Sequence, residues 1–138
     1  MTIFQKDVLD VLSKTVGNSK AVKSKYFTPY GYTVDFLIAI NKNKIVLPTT
    51  SAMQDSSITK IAILLLDRRN FVKMYNSPTD AEDLVKVQWS KTGPTISRTR
   101  HLELMGYRVL EISETLWNSM HMAEPHEKIT FLQNQILN

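Results

Sequence analysis

Residues 60–71 read KIAILLLDRRNF, and the six side chains from Ile61 to Leu66 form the longest apolar run in the chain. Six residues are far short of the roughly 20 that a membrane-spanning helix needs, and they fit a strand buried on both faces. A strand with no polar face needs cover above and below, so it belongs at the centre of a sheet between helical layers. Its polar end is abrupt, since Asp67, Arg68, Arg69 and Asn70 follow directly.

Working upstream, Tyr32–Ile40 is rich in β-branched and aromatic residues, Asn41–Lys44 is turn-like, and Ile45–Leu47 precedes Pro48. That pattern predicts a β-hairpin, followed by a polar loop over Pro48–Ser57. Phe4, Val8, Val11, Leu12 and Val16 recur at helical spacing before Gly17, which predicts an amphipathic opening helix joined by a lysine-rich linker to the hairpin. Downstream, Thr79 and Glu82 have capping-box spacing just after Pro78 and predict a helix through about Ser90, broken by Lys91–Pro94. A second helix over Thr95–Met105 ends at Gly106, suited to a left-handed C′ position. Tyr107–Ile112 alternates as a strand. Two helices close the chain, Glu114–Met120 and, after Pro125, His126–Leu137, the latter presenting Ile129, Leu132, Ile136 and Leu137 on one stripe. The order is helix, two or three strands, helix, helix, strand, helix, helix. It predicts an α/β fold, a mixed sheet flanked by helices, with a helical crossover after the central strand.

With 138 residues the chain is expected to form one domain that buries about two-thirds of its unfolded surface. The absence of cysteine excludes disulfides, zinc-thiolate sites, iron–sulfur ligation and thiol nucleophiles. There is no GxGxxG, P-loop or GxSxG pattern, and each of the four glycines stands alone, so glycine-loop nucleotide binding lacks its backbone. No signal segment or basic presequence precedes the first helix, as expected of a cytosolic protein or of a piece cut from a longer one. His101, His121 and His126 read as surface residues, and Trp89 and Trp117 as packing anchors.

The formal net charge is +4, but it is unevenly spread. Residues 1–101 carry +7 and residues 102–138 carry −3. Two acid-free windows concentrate the positive charge: Val11–Val34, with Lys14, Lys20, Lys23 and Lys25, and Leu84–Leu102, with Lys86, Lys91, Arg98 and Arg100. Such windows suit a polyanion; the simpler reading of the first is a solvated face.

Four segments in this order, YGYTVDFLI (30–38), KIAILLLDRRNF (60–71), SRTRHLELMGYRVLEI (97–112) and the tail with Trp117 and KITFLQNQI (128–136), resemble the RAP domain found at the C-terminus of FAST kinase domain-containing proteins. The resemblance covers residues 28–137, and FQKDVLDVL (4–12) resembles the end of the helical FAST region. The division expected is therefore 1–27 for the end of the FAST region and linker and 28–138 for the RAP domain. The resemblance implies a fold similar to PD-(D/E)XK and very-short-patch-repair endonucleases, in a factor for mitochondrial mRNA processing or stability, located in the matrix. Despite the family's name, no protein-kinase motif is present.

Nucleases of that fold hold Mg²⁺ with clustered carboxylates. Matching to the family pattern makes Asp35 the first acid and puts the next two at Leu64 and Leu66, which lie on one face of the central strand. Hydrocarbon there leaves Asp35 vestigial, expected to cap a turn, pair with Arg or Lys, or bind backbone amides instead; Asp55 and Asp67 are the candidate substitutes. The reading is a degenerate, nuclease-like RNA-binding domain with no metal or other cofactor. Its rivals are an Mg²⁺-dependent endoribonuclease with relocated acids, and a protein-interaction module using the acidic stretch Glu103–Glu127. Expected RNA contacts are Arg68, Arg69 and Lys73 at the end of the central strand, Lys86 and Lys91 before the second helix, and Arg98, Arg100 and His101 in it, where free N–H groups also favour phosphate. Tyr30 and Tyr75 are expected to stack on bases, with Tyr32 and Phe71 assigned to the core. RNA, in particular mitochondrial transcripts, is the expected partner of a monomeric domain with no membrane contact.

Overall fold

The structure is a computed structural model describing residues 1–17, 19–29, 31–47, 57–75, 87–120 and 126–137, with only the backbone of Ser19, Met74, Tyr75, Val87 and Gln88. The opening helix α1 (Ile3–Val16) is set by a capping box: Thr2 Oγ1 accepts the Gln5 amide while Gln5 Oε1 accepts the Thr2 amide, and Gly17 ends it at φ +76°. Strands β1 (Lys23–Phe27), β2 (Thr33–Ile40), β3 (Val46–Leu47) and β4 (Thr59–Leu66) follow, then a 3-10 turn over Arg68–Asn70. Strands β5 (Phe71–Tyr75) and β6 (Val87–Lys91) precede α2 (Gly93–Leu104), β7 (Arg108–Ser113), α3 (Glu114–Ser119) and α4 (His126–Leu137).

The main sheet runs β1-β2-β4-β7, with β3 also paired to β2. All pairings are antiparallel except β4 with β7, which is parallel from Ile61↔Arg108 to Leu66↔Ser113. The sheet is therefore mixed, and β4 is internal to it, as its two apolar faces require. Ile61, Ile63 and Leu65 pack with Phe36, Ile38 and Ile112 against Val8 and Leu12 of α1, Trp117 of α3, and Leu132 and Ile136 of α4. Ala62, Leu64 and Leu66 face the other way, packing with Val34, Leu37 and Tyr107 beneath Leu102 of α2. Burial, with Tyr26 beside it, pushes the Tyr107 phenol well above its ordinary pKa.

Three expectations need correction. The stretch after α1 is not only a linker, because β1 forms the edge of the sheet there. The helix expected through Ser90 does not reach that far: Val87–Lys91 is a strand, and β5 and β6 make a separate antiparallel ribbon. The chain consequently has seven strands among the described residues instead of three or four. The Thr79 capping box and most of the Pro48–Ser57 loop lie outside the described residues.

One polar contact joins the chain's ends. Asp7 Oδ2 on α1 accepts the indole N–H of fully buried Trp117 at 2.7 Å and Lys128 Nζ at 2.8 Å, with that ammonium 4.8 Å from the Trp117 ring centroid. Asp7→Ala strands a buried donor, which costs about 1–3 kcal/mol. Urea unfolding should show that loss, and a markedly smaller one when Trp117 is already Phe.

Candidate functional site

β2 and β4 remain paired up to Phe36↔Ile63 and then part. Val34 and Leu37 face one core layer while Phe36 faces the other, so the alternation of β2 slips by one residue around Asp35. Opposite it, β1 carries Lys25 at φ +51°. The amide of Leu65, which a continued ladder would give to a backbone carbonyl, donates instead to Asp35 Oδ2 at 2.9 Å. Asp35 thus binds a backbone amide, one of the three roles left open for it by the sequence.

At the end of β4, Asp67 caps the 3-10 turn and holds Arg69, with Nη2 to Oδ2 at 2.7 Å and Nε to both oxygens at 3.2 Å. The hydrogen bond from Arg69 outweighs the cost of burial and keeps the Asp67 carboxyl below the usual carboxylate range. Asn70 ties this turn to α2: its Oδ1 accepts the Asp67 amide and its Nδ2 donates to buried Thr95 Oγ1, while its carbonyl accepts the amide of Thr92, the N-cap of α2. The clamp fixes Arg98, in the second turn of α2, relative to Asp67.

Two adjoining cavities result, sharing Asp67 and Glu114. The first, about 380 Å³, is lined by Asp35, Asp67, Arg69, Asn70, Arg98 and Glu114, with Thr2 and Gln5 of α1. Arg98 Nε and Nη2 are buried and have no hydrogen-bond partner among the described residues. The second, about 530 Å³, lies at the C-terminal ends of β4 and β7 between Leu66, Arg68, Phe71, Trp89 and the Ser113–Thr115 segment. Ends of parallel strands are where open α/β sheets commonly bind ligands.

The residues expected to bind RNA divide accordingly. Arg69 and Arg98 face the first cavity; exposed Arg68 lines the second, and Lys73 Nζ stands 5.2 Å from the ring centroid of Trp89 beside it. Arg98 and Arg100 do not act together, because a two-residue step turns a helix by more than half a revolution. Arg100 lines a third cavity with Lys91, Glu103 and Glu111, where Lys91 is paired to Glu111 at 2.8 Å. His101 is exposed and its Nδ1 bonds the Tyr32 hydroxyl. Tyr30, Asp55 and Lys86 lie outside the described residues, as does the side chain of Tyr75. Tyr32 and Phe71 pack against the second core cluster as expected. Trp89 is no packing anchor: it is 52% exposed. Sequence reasoning missed both it and Glu114; the alternation of VQWSK was the available signal, obscured by the capping-box pattern upstream. Within the acidic segment, Glu103 and Glu111 line a different cavity from Glu114, and Glu124 lies outside the described residues.

An Mg²⁺ site does not fit these side chains. Asp67 is held by Arg69, Asp35 Oδ2 by a backbone amide, and the Arg98 guanidinium shares their cavity. Among the described residues no three acidic or histidine side chains are grouped to hold a metal ion. Leu64 and Leu66 are closed into the core beneath α2.

Comparison with known proteins agrees with the resemblance read from the sequence. The RAP domain family matches residues 63–135, and the family described as FAST kinase-like protein, subdomain 2, matches residues 1–48. Human FAST kinase domain-containing protein 1, mitochondrial, is 27% identical over 142 residues, covering 96% of this chain and 16% of the relative. The mouse protein of that name is 29% identical over 150 residues, with the same coverage. FAST kinase domain-containing protein 2, mitochondrial, of Pongo abelii is 28% identical over 135 residues, covering 94% of this chain and 17% of the relative. The chain thus spans about a sixth of the length of the curated relatives it matches. No solved structure matches it. Among the described residues no helix is long and apolar enough to cross a membrane. Like these relatives by name, the chain is mitochondrial.

Two outcomes test the site. With Arg69→Ala, the Asp67 carboxyl should titrate closer to its ordinary value in an NMR pH series. Because the folded-state pKa is depressed, the stability contributed by this pair is present above the ordinary carboxylate value and lost as pH falls through the folded one. Replacing Leu64 by Asp should cost about 3 kcal/mol, read by thermal unfolding, with no recovery on adding Mg²⁺, because an unpaired carboxylate enters a dry core.

Proposed function

We propose that this chain, which belongs to the RAP domain family, binds single-stranded RNA on a nuclease-like scaffold without cutting it, within a factor for mitochondrial mRNA processing or stability. The observation that carries the reading is Arg98: its side chain lines the first cavity, and two of its guanidinium nitrogens are buried without a partner among the described residues. Buried donors in native proteins are nearly always satisfied, and a phosphate oxygen is a good acceptor for a guanidinium. Arg68 and Lys73 extend the positive charge along the adjoining cavity, and exposed Trp89 offers a face on which an unpaired base can stack. Asp35 bound to a backbone amide and Asp67 to Arg69, with Leu64 and Leu66 in the core, support a scaffold that lacks the free acids of a cleaving enzyme.

With Lys73 and Arg98 as phosphate contacts, the log–log salt slope of single-strand binding should be about −1.4, at roughly −0.7 per contact. Arg98→Ala should flatten it by about 0.7 and lower the affinity, whereas Arg100→Ala, in the other cavity, should change neither. Fluorescence anisotropy with a labelled oligoribonucleotide at several salt concentrations makes the comparison. An unaltered slope in Arg98→Ala overturns the assignment. Cleavage by the purified chain in Mg²⁺, lost in Asp35→Asn, overturns the non-cutting reading.

A further inference from the structure

The second cavity combines three features that the phosphate contacts do not use. Its walls include an apolar and aromatic surface formed by Leu66, Phe71 and Trp89, and of these Trp89 stays 52% exposed even with Lys73 near its ring. The partly buried carboxylate of Glu114 has no hydrogen-bond or ion-pair partner among the described residues, although Asp67 beside it is taken by Arg69. Arg68, in the same lining, likewise has no partner among the described residues. At about 530 Å³ the space is ample for one nucleobase.

A free carboxylate offers two acceptor oxygens side by side, and a free guanidinium offers paired donors. Guanine is the RNA base that matches both. Its N1–H and N2–H₂ present two adjacent donors to a carboxylate, and its O6 and N7 present two adjacent acceptors to an arginine. Adenine and cytosine each give a carboxylate only one exocyclic amino group, and uracil gives it a single ring N–H. We propose that this cavity is a guanine-selective pocket, with Trp89 stacking on the base, Glu114 accepting from N1–H and N2–H₂, and Arg68 donating to O6 and N7. The proposal rests on the RNA-binding reading above and names the base that the site reads.

The test uses the whole 138-residue chain and two probes. Oligouridylates carrying one central guanine, adenine or cytosine are compared with the all-uridine strand by anisotropy. Free GMP, AMP, CMP and UMP are titrated while tryptophan emission is followed, with Trp89→Phe identifying the signal that belongs to Trp89. The guanine strand should bind about tenfold more tightly than the others, and GMP should quench Trp89 at the lowest concentration. Glu114→Gln should bring the guanine strand to within about twofold of the adenine and cytosine strands, a loss of selectivity read apart from the change common to all strands that loss of a carboxylate beside Arg98 brings. Trp89→Ala should weaken every strand. RNA binding without a preference for guanine, or a preference that survives Glu114→Gln, overturns the pocket while the RNA-binding reading stands. Selective GMP binding without affinity for any strand overturns the RNA-binding reading and keeps the pocket. If neither probe binds, both fall.

Discussion

β4 has no side to give to water. Ile61, Ile63 and Leu65 are buried under α1, α3 and α4, and Ala62, Leu64 and Leu66 under α2, so both helical layers are needed to keep one strand dry. Apolar burial contributes roughly 25 cal/mol per Å², and the strand that buries the most on two faces sets the geometry of what surrounds it. Its parallel pairing with β7 then demands a crossover, which the β5–β6 ribbon and α2 supply. Polar chemistry is excluded from the length of β4 and gathers where the apolar run stops, at Asp67.

That end is organised by short polar links more than by charge pairs. Asn70 bonds the Asp67 amide, Thr95 and the N-cap of α2, and through them the turn and the helix hold Arg69 and Arg98 at fixed places. Arg69 is committed to Asp67, whereas Arg98 is left with buried donors and no acceptor among the described residues. A guanidinium in that state is costly unless an acceptor arrives, and the neighbouring cavity is where one can. The distribution of free and committed cations, more than the net charge of +4, distinguishes this edge from the Lys91–Glu111 side of α2.

The absence of acids at positions 64 and 66 bears on both fold and chemistry. Leucine there lets α2 close on the sheet through Leu102 and Tyr107, a packing that carboxylates would not tolerate. With leucine at both positions this face of the sheet is apolar core. Asp35 has a structural task, completing a ladder that β2 leaves open when its alternation slips.

Local patterns decided much. The apolar run of β4, the alternation of β7, the stripe of α4, the capping of α1 and the glycine stop after α2 each depend on residues close in sequence, and they determined the α/β class, the central strand and the family. The strand pattern of Val87–Lys91 was hidden because capping-box spacing upstream favours a helix and a short exposed ribbon lacks a strong apolar signature; β1, with two lysines and a serine in five residues, reads as a linker for the same reason. Tertiary structure alone decided the site. It brought Arg98 and, from the end of β7, Glu114 to the cavity of Asp67, and left Trp89 exposed. Those juxtapositions arise from strand pairing and helix rotation between residues tens of positions apart, on which spacing along the chain places no constraint.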